Sequence, residues 1–175
     1  MIELTRLKWS KNVNYQSEKV EYWDYRIDEV SKIVILHWRK GQEENARKPK
    51  EGDLLIIRQH AHVTHIVKFF NNTIYYDGSD SEFSTGRLIQ IIWKANDLKN
   101  LVHTSHLYNL PHNTEVFGCP VVFPPNGKAH SLESINIFNE YWSKHGGMVG
   151  FHNYVKGVLD KKGEWLQPLI ELELR

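Results

Sequence analysis

Residues 52–70 read GDLLIIRQHAHVTHIVKFF, and this stretch decides the fold. A Gly-Asp pair opens an apolar run over 54–57 that ends at Arg58-Gln59-His60, and a second apolar run covers 63–70. Both runs have the length of strands and are rich in the β-branched residues that suit a pleated, buried surface. The stretch therefore predicts two buried strands.

Three further runs of strand length lie on either side of it. Residues 32–38 contain a β-branched run, residues 88–93 form another, and residues 73–77 follow Asn71-Asn72. Because asparagine readily adopts a positive φ, the Asn pair predicts a hairpin that joins 63–70 to 73–77. All five runs are connected by loops rather than by crossover helices. The pattern predicts an α+β protein with a small, mostly antiparallel β-barrel over about 32–94, flanked by helices.

The rest of the chain adds helices and one more strand. Apolar residues spaced by three and four predict a helix within 14–30. The proline- and glycine-containing region 96–130 is predicted to be irregular. A C-terminal helical extension is predicted over about 131–161, with Ser131 as the first N-cap. The alternation of apolar residues and glutamates over 169–174 predicts a closing strand at the sheet edge.

Composition limits the class of protein. A length of 175 residues predicts a single domain over 1–175. The chain has 22 Lys+Arg and 21 Asp+Glu, and the resulting net charge of +1 excludes a purely electrostatic nucleic-acid binder. Cys119 is the one cysteine, so no internal disulfide is expected, and a reducing cytoplasm fits. No apolar run approaches the roughly 20 residues that span a bilayer. We expect a cytoplasmic location and no membrane association.

The familiar catalytic motifs are absent from the sequence. There is no glycine-rich phosphate loop, nucleophile elbow or cysteine pair for zinc, so no catalytic residue, metal ligand or cofactor is predicted. His60, His62 and His65 come closest to a metal signature, but on a strand His65 faces the side opposite the other two. Loop-capping or phosphate-binding histidines are the simpler interpretation. A second loose group comprises His103, His106 and His112.

Basic and aromatic residues gather where the predicted strands begin or end. His37-Trp38-Arg39, Arg58-Gln59-His60 and Thr64-His65 occupy these positions. If the first two strands pair, these groups converge on one rim of a barrel. An indole face can stack a base for about 1–3 kcal/mol while nearby cations hold phosphates. The loop between the first two strands adds Lys40, Arg47, Lys48 and Lys50.

The tryptophans have two competing interpretations. Burial in the core is favoured for any single tryptophan, Trp38 included. Trp93, at the end of its strand, is the second candidate wall of a base-binding pocket, and Trp23 is a third. Trp142 is simply explained as helix core, because its spacing completes an apolar face.

The segment 32–93 resembles the PUA-like barrel superfamily, which includes the EVE, YTH and ASCH domains. The resemblance rests on a first strand ending in Trp38, on PKEGDLLI at 49–56, and on VTHIV at 63–67. It implies a barrel that binds RNA or DNA, often with a modified base flipped into an aromatic cage. Base binding is then expected from Trp38, Trp93, His37, Thr64 and His65. Backbone binding is expected from Arg39, Lys40, Arg47, Lys48, Lys50, Arg58 and His60.

The leading hypothesis is therefore a nucleic-acid reader, of DNA or RNA, that recognises a modified base, and a restriction or defence system is one setting for it. A small hydrolase or nuclease that uses His60, His62 or His65 is the first alternative. The second is a protein-interaction module. The C-terminal helices are the predicted surface for a protein partner or a homo-oligomer.

Overall fold

The computed structural model describes residues 2–13, 33–78, 82–96, 98 and 110–166. The predicted helix over 14–30, with its Trp23, and the predicted strand over 169–174 lie outside the described residues. So do His103 and His106.

Within the described residues the chain forms eight strands and four α-helices. The strands are β1 (Leu7–Asn12), β2 (Ile33–Trp38), β3 (Leu54–Gln59), β4 (His62–Phe69), β5 (Tyr75–Tyr76), β6 (Thr85–Ala95), β7 (Ala129–Ser131) and β8 (Gly163–Trp165). The helices are α1 (Glu43–Arg47), α2 (Asn113–Phe117), α3 (Asn136–Ser143) and α4 (Gly147–Lys162). None of these helices is long and apolar enough to cross a membrane.

The strands make one mixed sheet that curls into a half-barrel. Its order is β2-β6-β4-β3-β1-β7, and β5 and β8 also pair with β6. β1 and β3 run parallel, and the other pairs are antiparallel. The prediction of an α+β protein with a mostly antiparallel sheet is confirmed.

Both faces of the sheet are covered, which explains the continuous apolar run in β3. Leu54 and Ile56 join the cluster that packs under α2, α3 and α4, whereas Leu55 and Ile57 join a second cluster inside the curl. Strand side chains alternate between faces, so an uninterrupted apolar run is needed where both faces are buried.

Asn45 of α1 links the first and last strands of the main path. Its Oδ1 accepts from Trp38 Nε1 of β2 at 2.8 Å and from the backbone N–H of Ala129 in β7 at 2.8 Å. Its Nδ2 donates to the Ala129 carbonyl at 2.9 Å. One buried side chain therefore joins the two strands across the open side of the half-barrel.

The convergence of the basic and aromatic groups on one rim was conditional on β2 pairing with β3, and these strands do not pair, because β6 and β4 lie between them. The predicted Asn71-Asn72 hairpin is wrong, because β4 already has β3 and β6 on its two edges, and β5 pairs with β6 instead. Asn71 nevertheless shapes the turn: its Oδ1 accepts from the Thr73 N–H, and its Nδ2 donates to the Tyr75 hydroxyl.

Several elements were not expected. α1 lies in the predicted loop after β2, and β1, α2 and β7 lie in regions without a predicted element. Ser131 ends β7 instead of capping a helix. A 3-10 turn follows it, and α3 begins only at Asn136. The C-terminal helices themselves agree with the predicted region 131–161.

Candidate functional site

The two tryptophans predicted to form a cage are core residues. Trp38 and Trp93 are both 0% exposed, and they belong to different clusters on opposite faces of the sheet. Trp38 Nε1 donates to Asn45, and Trp93 Nε1 donates to the Leu159 carbonyl at 3.0 Å. The predicted Trp38–Trp93 cage is therefore wrong. Trp142 is buried among the helices, as predicted.

Thr64 and His65 are also too deeply buried to meet a base. Both are 0% exposed on β4, which is an interior strand of the sheet. Thr64 Oγ1 accepts from Gln59 Nε2 at 2.8 Å and lies 2.9 Å from His65 Nδ1. Their predicted base-binding role is wrong. His37 is exposed on β2, and its role stays a prediction.

Several basic residues predicted to bind a phosphate backbone are exposed and have local partners. Arg39 Nε lies 3.3 Å from Glu82 Oε1. Arg47 Nη2 lies 3.4 Å from the Tyr76 hydroxyl, and Lys50 Nζ donates to the Arg47 carbonyl at 3.3 Å. A backbone-binding role stays a prediction for Arg39, Lys40, Arg47 and Lys50.

Five other basic residues form what we call the cationic cluster: Lys11, Lys48, Arg58, Lys128 and His130. Within the described part of the chain, none of them lies within 4.0 Å of a carboxylate. The positive charges of Arg58, Lys128, Lys48 and Lys11 add to burial in lowering the pKa of His130. Lys48 and Lys128 are exposed, so the cluster extends from the interior to the surface.

Lys11 is the most deeply buried amine of the cluster, with 3% of its surface exposed. Its Nζ donates to the Gly127 carbonyl and lies 4.9 Å from the centre of the Trp38 ring. Burial, followed by the positive charges of Arg39 and Arg58, lowers the pKa of Lys11 to about 7. Burial and the neighbouring positive charges therefore disfavour the protonated form of the Lys11 amine.

Arg58 is the second buried cation and is 5% exposed. Its Nε donates to Ser10 Oγ at 2.7 Å, and its guanidinium carbon lies 3.5 Å from the centre of the Phe123 ring. Nη2 is buried and has no hydrogen-bond partner among the described residues. Burial lowers the pKa of Arg58, but a guanidinium remains charged at neutral pH.

Arg87 provides an internal comparison. It too is buried and lies over a phenylalanine, 4.7 Å from the centre of the Phe69 ring. However, Arg87 donates to three backbone carbonyls at 2.5–3.0 Å and ties down the loop after α1. Among the described residues, Arg58 makes one hydrogen bond where Arg87 makes three. The Nε of Arg87 is also buried without a partner there, but both of its Nη atoms are bound, whereas Nη2 of Arg58 is not.

Arg58 lines a cavity of about 290 Å³, which we call the Arg58 pocket. Asn113, at the start of α2, contributes a second buried polar atom without a partner in the described region, its Oδ1. The walls are otherwise mostly apolar. The pocket is lined by Asn12, Arg58, Ala61, Asn113, Val121, Val122, Phe123, Pro124 and Pro125.

The turn between β3 and β4 forms part of this wall under backbone strain. His60 and Ala61 adopt positive φ angles of 47° and 65°. Gln59 pairs with His62, so His60 and Ala61 are the central pair of a two-residue hairpin loop, which requires a positive φ at both positions and is costly for an alanine. The Ala61 carbonyl accepts from the Asn113 backbone N–H at 2.9 Å, so the strained turn holds Asn113 beside Arg58.

A larger groove of about 530 Å³ lies between the sheet and α4. Two of the three cations that line it have carboxylate partners: Arg6 lies 3.6 Å from an Asp53 carboxylate oxygen, and Lys156 lies 2.7 Å from Asp160. Two buried polar atoms without a partner among the described residues, Arg58 Nη2 and Asn113 Oδ1, belong to residues that line the Arg58 pocket, and no such atom belongs to a described residue of the larger groove. The smaller cavity is therefore the better candidate site.

The histidine hypothesis gains no geometric support. His62 and His112 rings meet edge to face at 5.5 Å, but within the described residues no three His, Cys, Asp or Glu side chains are placed to hold a metal. His112 Nδ1 accepts from the Thr114 N–H and so caps α2. Cys119 is buried, and burial raises the pKa of its thiol, as expected for an unreactive cysteine.

The fold and site define an α+β protein with a curled mixed sheet and a pocket that is lined by the buried Arg58, a member of the cationic cluster. Comparison of the chain with family models, with curated proteins and with solved structures gave no match. Sequence reasoning had singled out Arg58 and Lys48 but missed Lys11, Phe123 and Asn113. Only the proline-rich stretch before Asn126-Gly127 hinted that the region 121–128 folds back over a strand end.

Proposed function

We propose that this chain is a nucleic-acid reader on a PUA-like barrel, which inserts one unstacked base into the Arg58 pocket while the cationic cluster holds the phosphates. The observation that carries the proposal is Arg58, a buried charge at a pocket wall that has, among the described residues, neither a carboxylate within 4.0 Å nor a hydrogen-bond partner for its Nη2. Burying such a charge costs several kcal/mol unless a partner offsets the cost. A ligand that supplies hydrogen-bond acceptors would be that partner.

The surroundings of Arg58 favour a nucleotide over a simple anion. The apolar walls, with Phe123 and two prolines, suit a flat ring, whereas Lys48 and Lys128 at the surface suit phosphate oxygens. A base on apolar and aromatic walls recovers much of the energy lost by unstacking. The pocket therefore takes the role that the sequence suggested for Trp38 and Trp93.

The test is fluorescence anisotropy with short labelled single- and double-stranded DNA and RNA, measured over a range of salt concentrations. We expect the single strands to bind, with log K falling by about 0.7 per phosphate contact for each unit of log salt. Lys128→Ala and Lys48→Ala should each lower that slope by roughly one contact. Lys161→Ala, an exposed cation near the end of α4, is the matched control. Binding weaker than about millimolar to every oligonucleotide would refute the proposal.

The protein-interaction alternative predicts another surface. Val149 and Ile137, on α4 and α3, are 69% and 46% exposed. A protein partner or homo-oligomer through these helices stays a prediction, which sedimentation of the purified chain with Val149→Glu as the comparison would test.

A further inference from the structure

We infer that the Arg58 pocket reads a base edge with the order acceptor–acceptor–donor, which guanine and cytosine present and adenine, thymine and uracil do not. This inference rests on the proposed function and adds the class of base. It follows from which hydrogen-bonding groups the protein leaves unpaired at the pocket.

Arg58 supplies the two donors. Its Nε donates to Ser10 Oγ at 2.7 Å, and its guanidinium carbon lies 3.5 Å from the centre of the Phe123 ring, so two contacts hold the guanidinium in place. The edge that remains carries one N–H from each Nη atom, and Nη2 has no protein partner in the described region. Two parallel N–H groups match two adjacent acceptors, as in the bidentate contacts that arginine makes to guanine.

Asn113 supplies the acceptor. Its Oδ1 is buried at the same pocket and lacks a hydrogen-bond donor among the described residues. The Ala61 carbonyl, also at the pocket wall, accepts a hydrogen bond from the Asn113 backbone N–H and so holds Asn113 in place. The protein therefore offers two donors and one acceptor, which pair with an acceptor, an acceptor and a donor on the ligand.

Among the common bases only two present this order at successive positions around the ring. Cytosine presents O2, N3 and the N4 amino group, and guanine presents N7, O6 and N1–H. Adenine, thymine and uracil alternate acceptor, donor, acceptor, so one of the Arg58 N–H groups would face a donor. A buried donor facing a donor is a strong basis for rejection, because neither group finds a partner.

The experiment uses a thymine strand of about nine nucleotides with one central position X, and compares X as cytosine, guanine, adenine and thymine. We expect cytosine or guanine to bind about tenfold more tightly than the other two, since a good bidentate pair discriminates by that order. Replacing the preferred base by 3-deazacytosine or 7-deazaguanine removes one acceptor. That change should return the affinity to the all-thymine level while the protein is unchanged.

The protein side of the test separates recognition from charge. Arg58→Lys keeps the positive charge but lacks the planar pair of donors, so the base preference should shrink to about twofold while the salt slope persists. Lys128→Ala should weaken every strand equally and keep the preference. Circular dichroism of Arg58→Lys verifies folding, and the deaza bases test the inference even if that variant unfolds.

The outcomes separate the two claims. If no strand binds, the proposed function fails, and this inference fails with it. If all four strands bind equally, or adenine or thymine is preferred, the reader function stands and the inference about the base is wrong. Equal binding of deaza and natural bases would overturn it as well.

Discussion

Replacing Asn45 should open the half-barrel, because this side chain is the hydrogen-bonded link between β2 and β7. Asn45→Ala removes three hydrogen bonds at 2.8–2.9 Å. It leaves the Trp38 indole N–H and both backbone groups of Ala129 without their partner. Each lost bond costs about 1 kcal/mol, and more where the remaining group stays buried. We therefore expect the free energy of unfolding to fall by about 3–5 kcal/mol, a large part of the 5–15 kcal/mol typical of a domain.

Urea denaturation followed by tryptophan fluorescence measures this loss. Asn139→Ala, at an exposed position of α3, is the matched control and should change stability by no more than about 0.5 kcal/mol. Trp38→Phe removes the indole donor together with part of the ring's packing, and a double-mutant cycle with Asn45→Ala separates the two, since only the hydrogen bond is shared with Asn45. We expect a coupling of about 1 kcal/mol. A loss below about 1 kcal/mol for Asn45→Ala, or no coupling to Trp38, would refute the closure argument.

Three further changes test the packing and the site. A Cβ on Gly163 of β8 would overlap the Trp93 ring, so Gly163→Ala should lower stability by about 1–3 kcal/mol. Gly157 of α4 has open space around it, so Gly157→Ala should raise stability by about 0.5–1 kcal/mol, and equal melting temperatures for the two variants would contradict this. Ala61→Gly should stabilise the protein by about 0.5–1 kcal/mol, because glycine adopts the left-handed conformation of this residue without strain, and that gain exceeds the entropy that glycine loses on folding. A lower melting temperature would count against strain at the turn. The pKa of Lys11 is lowered to about 7 in the folded protein, so between pH 7 and the ordinary pKa of a lysine the unfolded chain binds more protons than the folded one. Over this range the free energy of unfolding should rise by up to about 1.4 kcal/mol per pH unit. Lys11→Met should flatten this rise in denaturation curves, and Lys161→Met should not.

The predictability of each element follows from how its residues are buried. β3 and β4 were predictable because both faces of these strands are covered, which forces apolar residues at successive positions. β1 could not be predicted in this way, because two of its buried residues, Ser10 and Lys11, are polar. In a sequence, a polar residue is normally taken to be exposed. α1 has five residues and buries only Asn45 and Ala46, too few for a periodic signal.

The site shows the same limit over longer distances. Arg58 was singled out because it ends an apolar run, which is a local signal. Its partner Phe123 lies 65 residues further along the chain (123 minus 58), in a stretch without periodicity. For Trp38 the local signal was misleading, because its indole N–H is satisfied by Asn45, seven residues away. Local patterns report burial, whereas the convergence of distant segments is decided by the topology of the sheet.

The contrast between Arg58 and Arg87 is what separates a functional from a structural interpretation of a buried arginine. Both guanidinium groups lie over a phenylalanine ring, so the aromatic contact does not distinguish the two residues. Arg87 donates from both Nη atoms to three carbonyls and holds a loop, so that in the described part of the chain only its Nε lacks a partner. Arg58 donates one hydrogen bond to Ser10. The buried amine of Lys11 lies near it, and repulsion between the two positive charges makes the burial of the Arg58 charge more costly. A purely structural role for Arg58 would be better served by an apolar side chain of similar volume. The cost of keeping this charge is explained when a ligand completes its hydrogen bonds.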